Sequence, residues 1–308
     1  MIRMGIIGFG KIAADQHVPA MAGNASYRFC AAASRTPLTL DGIATYTDYN
    51  LMLTEAEIEA VAVCTPASVR YAIARDCLEA GKHVMLEKPP GVTLGEVEAL
   101  AKLAEDRKVT LMTTWHAQAN PAVAAAADAL AGQRIASLQI TWHENVRKWH
   151  PGQAWIWEAG GFGVFDPGIN ALSIATRIVP AELIVKSAKL FVPANKQMPI
   201  AADLVLTSAA ALGEMPVSFD FRYVEGEIWT IEVTTEAGVH LLLSQGGSKL
   251  AIDGVEQVVK GEGEYPALYT QFAALVADGR SHVNVKPLRV VADAFMMAER
   301  EIVEAFED

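Results

Sequence analysis

An alternation of apolar strands and amphipathic helices over the first 116 residues most strongly constrains the fold. The segment MGIIGFG predicts a strand that enters a glycine turn, and IAADQHVPAMAG predicts a helix that ends at Gly23. Further strands are predicted in YRFCAAAS, AVAVCTP, HVMLEK and VTLMTTWH, and helices in ASVRYAIARDCLEAG and TLGEVEALAKLAEDRK. Strands that are apolar throughout are buried on both faces, so this pattern predicts a doubly wound parallel sheet.

The second half of the chain has a different pattern. From about residue 183 to 260, polar and apolar residues alternate in LIVKSAKLFV, ADLVLTSAA, PVSFDFRYV, IWTIEVTT, VHLLLSQ and KLAIDG. Such alternation is typical of antiparallel strands with one buried face. Two helices are predicted to close the chain, in YPALYTQFAALVADG and PLRVVADAFMMAEREIVEAF.

The sequence therefore predicts an α/β protein of two domains. Residues 1–118 are expected to form the doubly wound domain, and residues 119–308 an α/β domain with an open, mainly antiparallel sheet. An open sheet leaves one face to cover, which leads to the hypothesis of a homodimer through that sheet.

Composition excludes several classes of function. The net charge of −11 argues against nucleic acid or an anionic membrane surface as the partner. No apolar run reaches the roughly 20 residues of a membrane span, and no signal for cleavage is visible in MIRMGIIGFG. The three cysteines are scattered and no CxxC or HExxH occurs, so we expect reduced thiols, no metal site and a cytoplasmic location.

The turn GFGKIA, residues 8–13, is a GxGxxA pattern that follows the first strand and opens a helix. Gly8 allows a tight turn, Gly10 allows a pyrophosphate to approach the backbone, and the small Ala13 allows the helix to pack on the strand. The alternative is a plain strand-to-helix turn, but the position in the first βα unit favours a dinucleotide site. The expected cofactor contacts here are Gly8, Gly10, Lys11 and Ile12.

The second strand ends in AAASRT and lacks the acid that usually binds the ribose 2′-hydroxyl of NAD. Ser34 and Arg35 stand in its place, and a hydroxyl and a guanidinium suit a 2′-phosphate. The alternative is a surface Ser-Arg pair. We therefore expect NADP as the preferred cofactor and NAD as a second one.

Polar residues follow three more of the predicted strands, in CTP (64–66), EKPP (87–90) and TWH (114–116). Ligands of open α/β sheets bind at the carboxyl ends of the strands, so these residues should lie at one edge. Lys88 precedes Pro89, which restricts its backbone to extended conformations; the alternative is a solvated Glu-Lys pair. The expected cofactor contacts are Cys64, Thr65, Pro66, Glu87, Lys88, Trp115 and His116.

The segment FDPGIN contains two polar residues four positions apart, Asp166 and Asn170. Asp166 before Pro167 could be a helix N-cap. A cap does not require an amide on the same helix face, and the rest of the helix, ALSIATRIV, is mostly apolar. The pair therefore indicates the wall of a ligand site.

Five of the six tryptophans lie between residues 115 and 157: Trp115, Trp142, Trp149, Trp155 and Trp157. Aromatic faces ringed by polar groups suit the apolar C–H faces and hydroxyl rims of sugars. Glu144, His150 and Gln153 could supply such a rim. The alternative is that most of these tryptophans pack in the interior. A metal site of His116, His143 and His150 is disfavoured because the usual ligand spacing is absent.

Taken together, GFGKIA, EKP and the glycine-rich run before DPGIN resemble the family of glucose–fructose oxidoreductase and inositol dehydrogenase over essentially the whole chain. The strings GKIAADQHVPA, HVMLEKPPG, RKWHPGQAWIWE and GVFDPGINALS resemble the bacterial aldose 1-dehydrogenases within it. The resemblance implies an NAD(P)-binding Rossmann domain followed by a substrate-binding domain. It also implies oxidation of the anomeric carbon of an aldopyranose, D-galactose or L-arabinose, to the aldonolactone.

By motif, Lys88 corresponds to the lysine of the family's EKP and Asp166 to its active-site aspartate. The wider family usually has a histidine where this chain has Asn170, so the general base is open between Asp166 and Lys88. It also often has a histidine where Arg70 stands, so a cofactor or core contact should differ there.

The resemblance completes a set of expected roles. The catalytic residues are Lys88, Asp166 and Asn170. The expected substrate contacts are Lys88, His116, Glu144, Trp149, His150, Trp155, Asp166 and Asn170. Two alternatives are a non-catalytic sugar or cofactor sensor on the same fold, and a related oxidoreductase acting on an inositol or another substrate.

Overall fold

The computed structural model describes residues 1–307, and the chain divides into two compact units. The first consists of Met1–His116 and Glu262–Val285, and the second of Ala117–Gly261 with the residues from Lys286 onward. Residues 262–285, assigned to the second domain in the sequence prediction, thus belong to the first unit. Residue 308, the last of that predicted domain, lies outside the described residues.

The first unit contains a six-stranded parallel sheet in the order β3-β2-β1-β4-β5-β6. Its strands are β1 (Ile2–Ile7), β2 (Tyr27–Ala33), β3 (Ala44–Tyr46), β4 (Ala60–Val63), β5 (His83–Leu86) and β6 (Leu111–Thr113). This is the doubly wound strand order, so the predicted fold class is confirmed for this unit. Buried aliphatic side chains such as Val61, Val84 and Leu100 form its core.

The helices of the first unit are α1 (Val18–Ala22), α2 (Tyr49–Glu55), α3 (Ala67–Glu79), α4 (Leu94–Arg107) and α8 (Glu264–Asp278). Helix α4 begins with the expected capping box, in which Thr93 and Glu96 satisfy each other's backbone N–H groups. The helix after the glycine turn is irregular, because residues Ala13–His17 form a π turn directly before α1.

The second unit is built on a nine-stranded mixed sheet in the order β14-β13-β12-β11-β7-β10-β9-β8-β15. The strands are β7 (Ile135–His143), β8 (Ile184–Pro193), β9 (Ala201–Thr207), β10 (Met215–Asp220), β11 (Ile228–Thr235), β12 (His240–Ser244), β13 (Lys249–Ile252), β14 (Val255–Glu256) and β15 (Ala298–Val303). Two neighbouring pairs, β7 with β10 and β8 with β15, are parallel, and the other six are antiparallel.

Helices α5 (Pro121–Leu130), α6 (Val146–Trp149), α7 (Phe165–Ile178) and α9 (Lys286–Met297) complete the second unit. Strands β7 and β11 alternate, with Ile140 and Ile231 buried while Gln139 and Glu232 are exposed. At these positions of the two central strands, the exposed side chains are therefore polar. Dimerisation through this face stays a prediction.

One local prediction and one alternative interpretation were wrong. The closing helix was expected to continue to about residue 306, but residues 298–303 form β15, which pairs in parallel with the edge strand β8. Asp166 was considered as an N-cap, but the cap position is Val164 and Asp166 lies in the first turn of α7. The cap therefore does not explain the presence of a carboxylate there.

Among residues 1–307, no helix combines the length and the apolar character needed to cross a bilayer.

Gly168 and Gly95 provide a matched test of packing. A Cβ at Gly168 in α7 would lie 2.8 Å from the Phe219 ring, whereas nothing lies within 4 Å of one at Gly95 in α4. We expect G168A to destabilise the second unit by about 1–3 kcal/mol and G95A to stabilise the first by about 0.5 kcal/mol. Calorimetric unfolding of both variants measures this; equal effects of the same sign would contradict the packing.

Candidate active site

The glycine turn after β1 has the geometry of a phosphate-binding turn. Gly8 has φ of 88°, and a Cβ there would lie 2.7 Å from both Cγ2 and N of Thr65, so only glycine fits. Nothing lies within 4 Å of a Cβ position on Gly10, which leaves room for a ligand to approach the backbone. Thr65 Oγ1 is buried and has no hydrogen-bond partner among residues 1–307. These features fit the pyrophosphate of a dinucleotide.

The strand registers show which loops lie at the same edge of the sheet as this turn. Ile7 pairs with Ala33 of β2 and Val63 of β4, and Val63 pairs with Leu86 of β5. Because the strands are parallel, the residues after them lie along one edge of the sheet. The structure thereby brings together the predicted contacts Gly8, Ser34, Arg35, Cys64, Thr65, Pro66 and Lys88, with Arg35 exposed and Lys88 half-buried.

The carboxylate of Glu87 points into the protein interior and is only 3% exposed. Its Oε1 accepts a hydrogen bond from Tyr265 (2.8 Å) and lies 2.9 Å from His17 Nε2. Its Oε2 accepts from the backbone N–H of Lys88 at 2.9 Å. Glu87 was predicted to contact the cofactor, but the structure places its carboxylate among protein groups because β5 ends with this side chain facing α8.

Arg70 of α3 is buried and binds the backbone on both sides of Lys88. Its Nη1 donates to the carbonyl of Glu87 at 2.6 Å and also to that of Pro89. Its Nη2 donates to the carbonyl of Thr65 in the loop after β4. The position that departs from the family pattern is thus a core contact, and it joins two loops of the predicted site edge.

The buried pair of His17 and Glu87 is ionised. Burial alone would lower the pKa of His17, but the Cys64 side chain and the Glu87 carboxylate outweigh it and raise this pKa to about 10. Burial alone would raise the pKa of Glu87, but the hydrogen bond and attraction of His17 lower it below its usual value. Burial and the neighbouring Glu87 raise the pKa of Tyr265, so its hydroxyl stays protonated and donates.

Two further predicted contacts take part in the packing of the first unit. Trp115 is buried, and its Nε1 donates to the carbonyl of Asn284 at 2.9 Å. His116 is half-buried; its Nδ1 lies 3.0 Å from Glu264, and its ring stacks on Tyr265 at 5.5 Å between centroids. Their roles with cofactor or substrate stay predictions.

The second unit gathers two buried carboxylates around one imidazole. His150 Nε2 lies 3.9 Å from Oε1 of Glu144 and 3.8 Å from Oδ2 of Asp166. His150 Nδ1 lies 3.3 Å from Gln153 Oε1. The structure thus unites Glu144, His150 and Asp166, which the sequence predicted separately from a strand end, a loop and a helix. We call these three residues the polar wall.

Helix α7 places Asp166 and Asn170 one turn apart. Most of the helix is buried, including Asp166 at 5% exposure, while Asn170 is half-buried. Asp166 and Asn170 therefore lie on the same face of α7, as predicted, but both belong to the helix itself rather than to its N-cap.

The tryptophans of the second unit divide between two places. Trp229, the sixth tryptophan, stacks on Trp142 at 5.7 Å between ring centroids and contacts the tilted ring of Trp149 at 5.4 Å. Its Nε1 donates to Glu144 Oε2 at 2.9 Å, so it orients a carboxylate of the polar wall. Trp157 is buried against Phe221 and Phe306, and the predicted substrate contact Trp155 is half-buried.

Sequence reasoning missed Trp229, His17 and Tyr265. Trp229 pairs in register with Trp142 across β11 and β7, but alternation along a single strand does not reveal its partner. His17 and Tyr265 looked like ordinary residues of amphipathic helices. The sequence offers one indication for His17: its imidazole lies in a largely apolar helical pattern, and a buried imidazole requires a hydrogen-bond partner.

Within residues 1–307, no group of three or more histidine, cysteine and acidic side chains is arranged to hold a metal ion.

Comparison with known proteins agrees with this geometry. The model of the GFO/IDH/MocA oxidoreductase family with an NAD-binding Rossmann fold matches residues 2–115. A galactose 1-dehydrogenase of Pseudomonas fluorescens is 44% identical over 308 residues, covering 100% of this chain and 99% of the relative. The chain therefore belongs to this family of oxidoreductases.

Among solved structures, a D-galactose 1-dehydrogenase from Rhizobium etli superposes with a TM-score of 0.93 at 47% identity, covering 99% of this chain and 98% of that one. An inositol 2-dehydrogenase of Rhizobium meliloti is 26% identical and covers 77% of this chain and 74% of its own length. The 3-ketoreductase KijD10 of Actinomadura kijaniata, solved with NADP, shares the fold at 21% identity with a TM-score of 0.83 over 99% of both chains.

The His17–Glu87 pair predicts a pH-dependent stability. A group whose pKa is raised on folding stabilises fully below its unfolded value, here 6.5, and loses this effect as pH rises through about 10. We therefore expect the gap in unfolding midpoint between wild type and H17Q/E87Q to narrow between pH 6.5 and 10. Calorimetric unfolding of the full chain checks this. Y27F is the control, because its difference in unfolding midpoint from wild type should stay constant up to about pH 9. A gap that widens with pH would contradict the assignment.

Proposed function

We propose that this chain is an NAD(P)-dependent aldose 1-dehydrogenase that oxidises C1 of D-galactose and L-arabinose to the aldonolactone. The observation that carries the proposal is full-length likeness to galactose 1-dehydrogenases, at 44% identity in sequence and 47% in a solved structure. The polar wall supports it, because buried carboxylates and an imidazole are suited to bind several hydroxyls of one small ligand.

The polar wall is assigned to sugar recognition. Glu144 is held by Trp229 and accepts hydrogen bonds from hydroxyls, while His150 can donate or accept at its Nε2. Trp149 is 43% exposed and offers an aromatic face to the C–H side of a pyranose. Gln153 beside His150 orients the imidazole.

The reaction removes a hydride from C1 and a proton from the C1 hydroxyl. A bound nicotinamide supplies the hydride acceptor. Asp166 takes the hydroxyl proton, Lys88 donates a hydrogen bond to the oxygen as negative charge develops, and Asn170 bonds O1 or O2. The reverse assignment, with Lys88 as the base, requires a lysine whose pKa is lowered.

Cofactor binding is assigned to the glycine turn and to the loop after β2. Residues 11–22 are helical throughout, so the backbone N–H groups of Lys11 and Ile12 belong to a helix start. Ser34 and Arg35 follow β2 at the same edge, and their hydroxyl and guanidinium favour the 2′-phosphate of NADP over the 2′-hydroxyl of NAD.

The proposal also fixes an order among sugars. D-galactose and L-arabinose share their configuration from C1 to C4 in the pyranose form, so a wall that reads these carbons accepts both. Glucose differs at C4 and leaves a buried polar group of the wall unpaired, which disfavours its binding.

The three cysteines are free thiols, in accord with a proposed location in the reducing cytoplasm.

The first test is reduction of NADP⁺ and NAD⁺ by purified protein with D-galactose, L-arabinose, D-glucose, D-xylose and myo-inositol, followed by absorbance of the reduced nicotinamide. We expect rapid reduction with galactose and arabinose.

K88M should lose on the order of 10²–10³-fold in kcat while cofactor affinity is kept, because one donor to the developing charge is removed. The surface variant K102M in α4 is the matched control.

A flat trace with every sugar, from folded protein that still binds NADP⁺, would contradict the proposal and favour a sensor. Rapid turnover of myo-inositol alone would show that the substrate is an inositol rather than an aldopyranose. Wild-type turnover in K88M would remove Lys88 from the mechanism.

Arg35 is the test of cofactor preference. R35D removes a charge-assisted bond to the 2′-phosphate and adds an acid that suits the 2′-hydroxyl of NAD. We expect kcat/KM for NADP to fall about 10- to 100-fold and that for NAD to stay equal or rise. R28D, exposed at the start of β2, is the control. Equal losses with both cofactors would show that Arg35 does not contact the phosphate.

A further inference from the structure

The backbone around Lys88 is held by two charged side chains, Arg70 and Glu87. The carbonyls on both of its sides, those of Glu87 and Pro89, accept hydrogen bonds from the same guanidinium nitrogen of Arg70. Its own N–H donates to the Glu87 carboxylate at 2.9 Å. Three backbone polar groups in three consecutive residues are thus bound by ionic side chains rather than by neighbouring strands.

The Glu87 carboxylate is fixed in turn from two other elements. His17, at the end of the π turn that follows the glycine turn, lies 2.9 Å from Oε1 and is fully buried. Tyr265 of α8 donates to the same oxygen at 2.8 Å. We call the four side chains concerned the Lys88 network: His17, Arg70, Glu87 and Tyr265.

Stability alone does not account for these residues. Arg70 and Glu87 are each 3% exposed and His17 is 0% exposed, so three charges have been removed from water. Buried ion pairs commonly add little to stability compared with well-packed apolar residues of similar volume. Such a network does provide direction. The hydrogen bonds of Arg70 and Glu87 each restrict one backbone atom next to Lys88, and those of His17 and Tyr265 fix the Glu87 carboxylate.

We propose that the Lys88 network positions the Lys88 side chain for its role at the sugar C1 oxygen, and that its four members are positioning residues for this reaction. The inference rests on the proposed function of Lys88 and deepens it. His17 also ties the network to the helix that begins at the glycine turn, and Arg70 ties it to Thr65. The cofactor turn and the lysine therefore share one rigid support.

Tyr265 provides the sharpest variant, because Y265F removes one hydroxyl and keeps the ring that packs on His17 and His116. Tyr27 is the matched control: its hydroxyl is also buried and donates at 2.7 Å to the carbonyl of Tyr269, but it does not touch Glu87. We expect kcat to fall on the order of 10-fold in Y265F and 10²-fold in E87Q, since small misplacements of a reacting group are costly.

The expected pattern distinguishes positioning from loss of structure. In Y265F, KM for galactose and the dissociation constant of NADP⁺ should stay within about 2-fold of wild type while kcat falls, because only an interaction made in the transition state is lost. Y27F should lose as much thermal stability as Y265F and keep wild-type kcat. The opposite split, with raised KM and normal kcat, would overturn the proposal.

A second measurement does not depend on turnover. Lysines can be labelled by reductive ¹³C-methylation, and the Lys88 signal identified by its absence in K88R. We expect the chemical shift and line width of this signal to change in Y265F and R70K and to be unaffected in Y27F.

The two measurements separate the two levels of the argument. If wild type fails to oxidise any sugar but the Lys88 signal responds to Y265F, the proposed function fails and the positioning stands. If galactose is oxidised but Y265F and Y27F show equal kcat and equal Lys88 signals, the function stands and the network is structural only.

Discussion

The interaction on which the first unit most depends is the buried ion pair of Glu87 and His17. It joins the end of β5 to the helix after the glycine turn, and through Tyr265 it also joins α8, which lies far along the chain. Removing one partner would leave an uncompensated charge in the interior, a strongly destabilising situation. The pair is therefore one of the contacts that join residues 262–285 to the first unit, and its carboxylate accepts a hydrogen bond from the Lys88 backbone.

In the second unit, too, buried side chains hold the residues of the candidate site in place. Its polar wall is supported by packing of α7 on β10, where Gly168 allows the Phe219 ring to approach the helix backbone. Phe165 packs edge-on against the same ring, at 5.7 Å between centroids. Asp166 lies between these two helix positions, and its carboxylate lies 3.8 Å from His150 at the end of α6. A catalytic or binding group on a packed helix is positioned more accurately than one on a loop.

The sequence by itself determined those features that depend on neighbouring residues. The doubly wound class of the first unit follows from alternating apolar strands and helices, although the short β3 and α2 were not predicted. The turn at Gly8 follows from backbone sterics. The capping box of α4 involves residues only three apart. Lys88, Asp166 and Asn170 could be predicted as site residues because polar residues at a strand end or on an apolar helix face are visible without any tertiary information.

Only the tertiary structure decided the remaining features, because each depends on residues distant in sequence. Glu87 lies 70 positions from His17 and 178 from Tyr265, and Trp229 lies 85 from Glu144. Residues 298–303 have a helical pattern but form β15, since pairing with the edge of β8 outweighs local propensity. Helix periodicity and turn chemistry are local, whereas the partners of a buried charge are set by which elements the fold packs together.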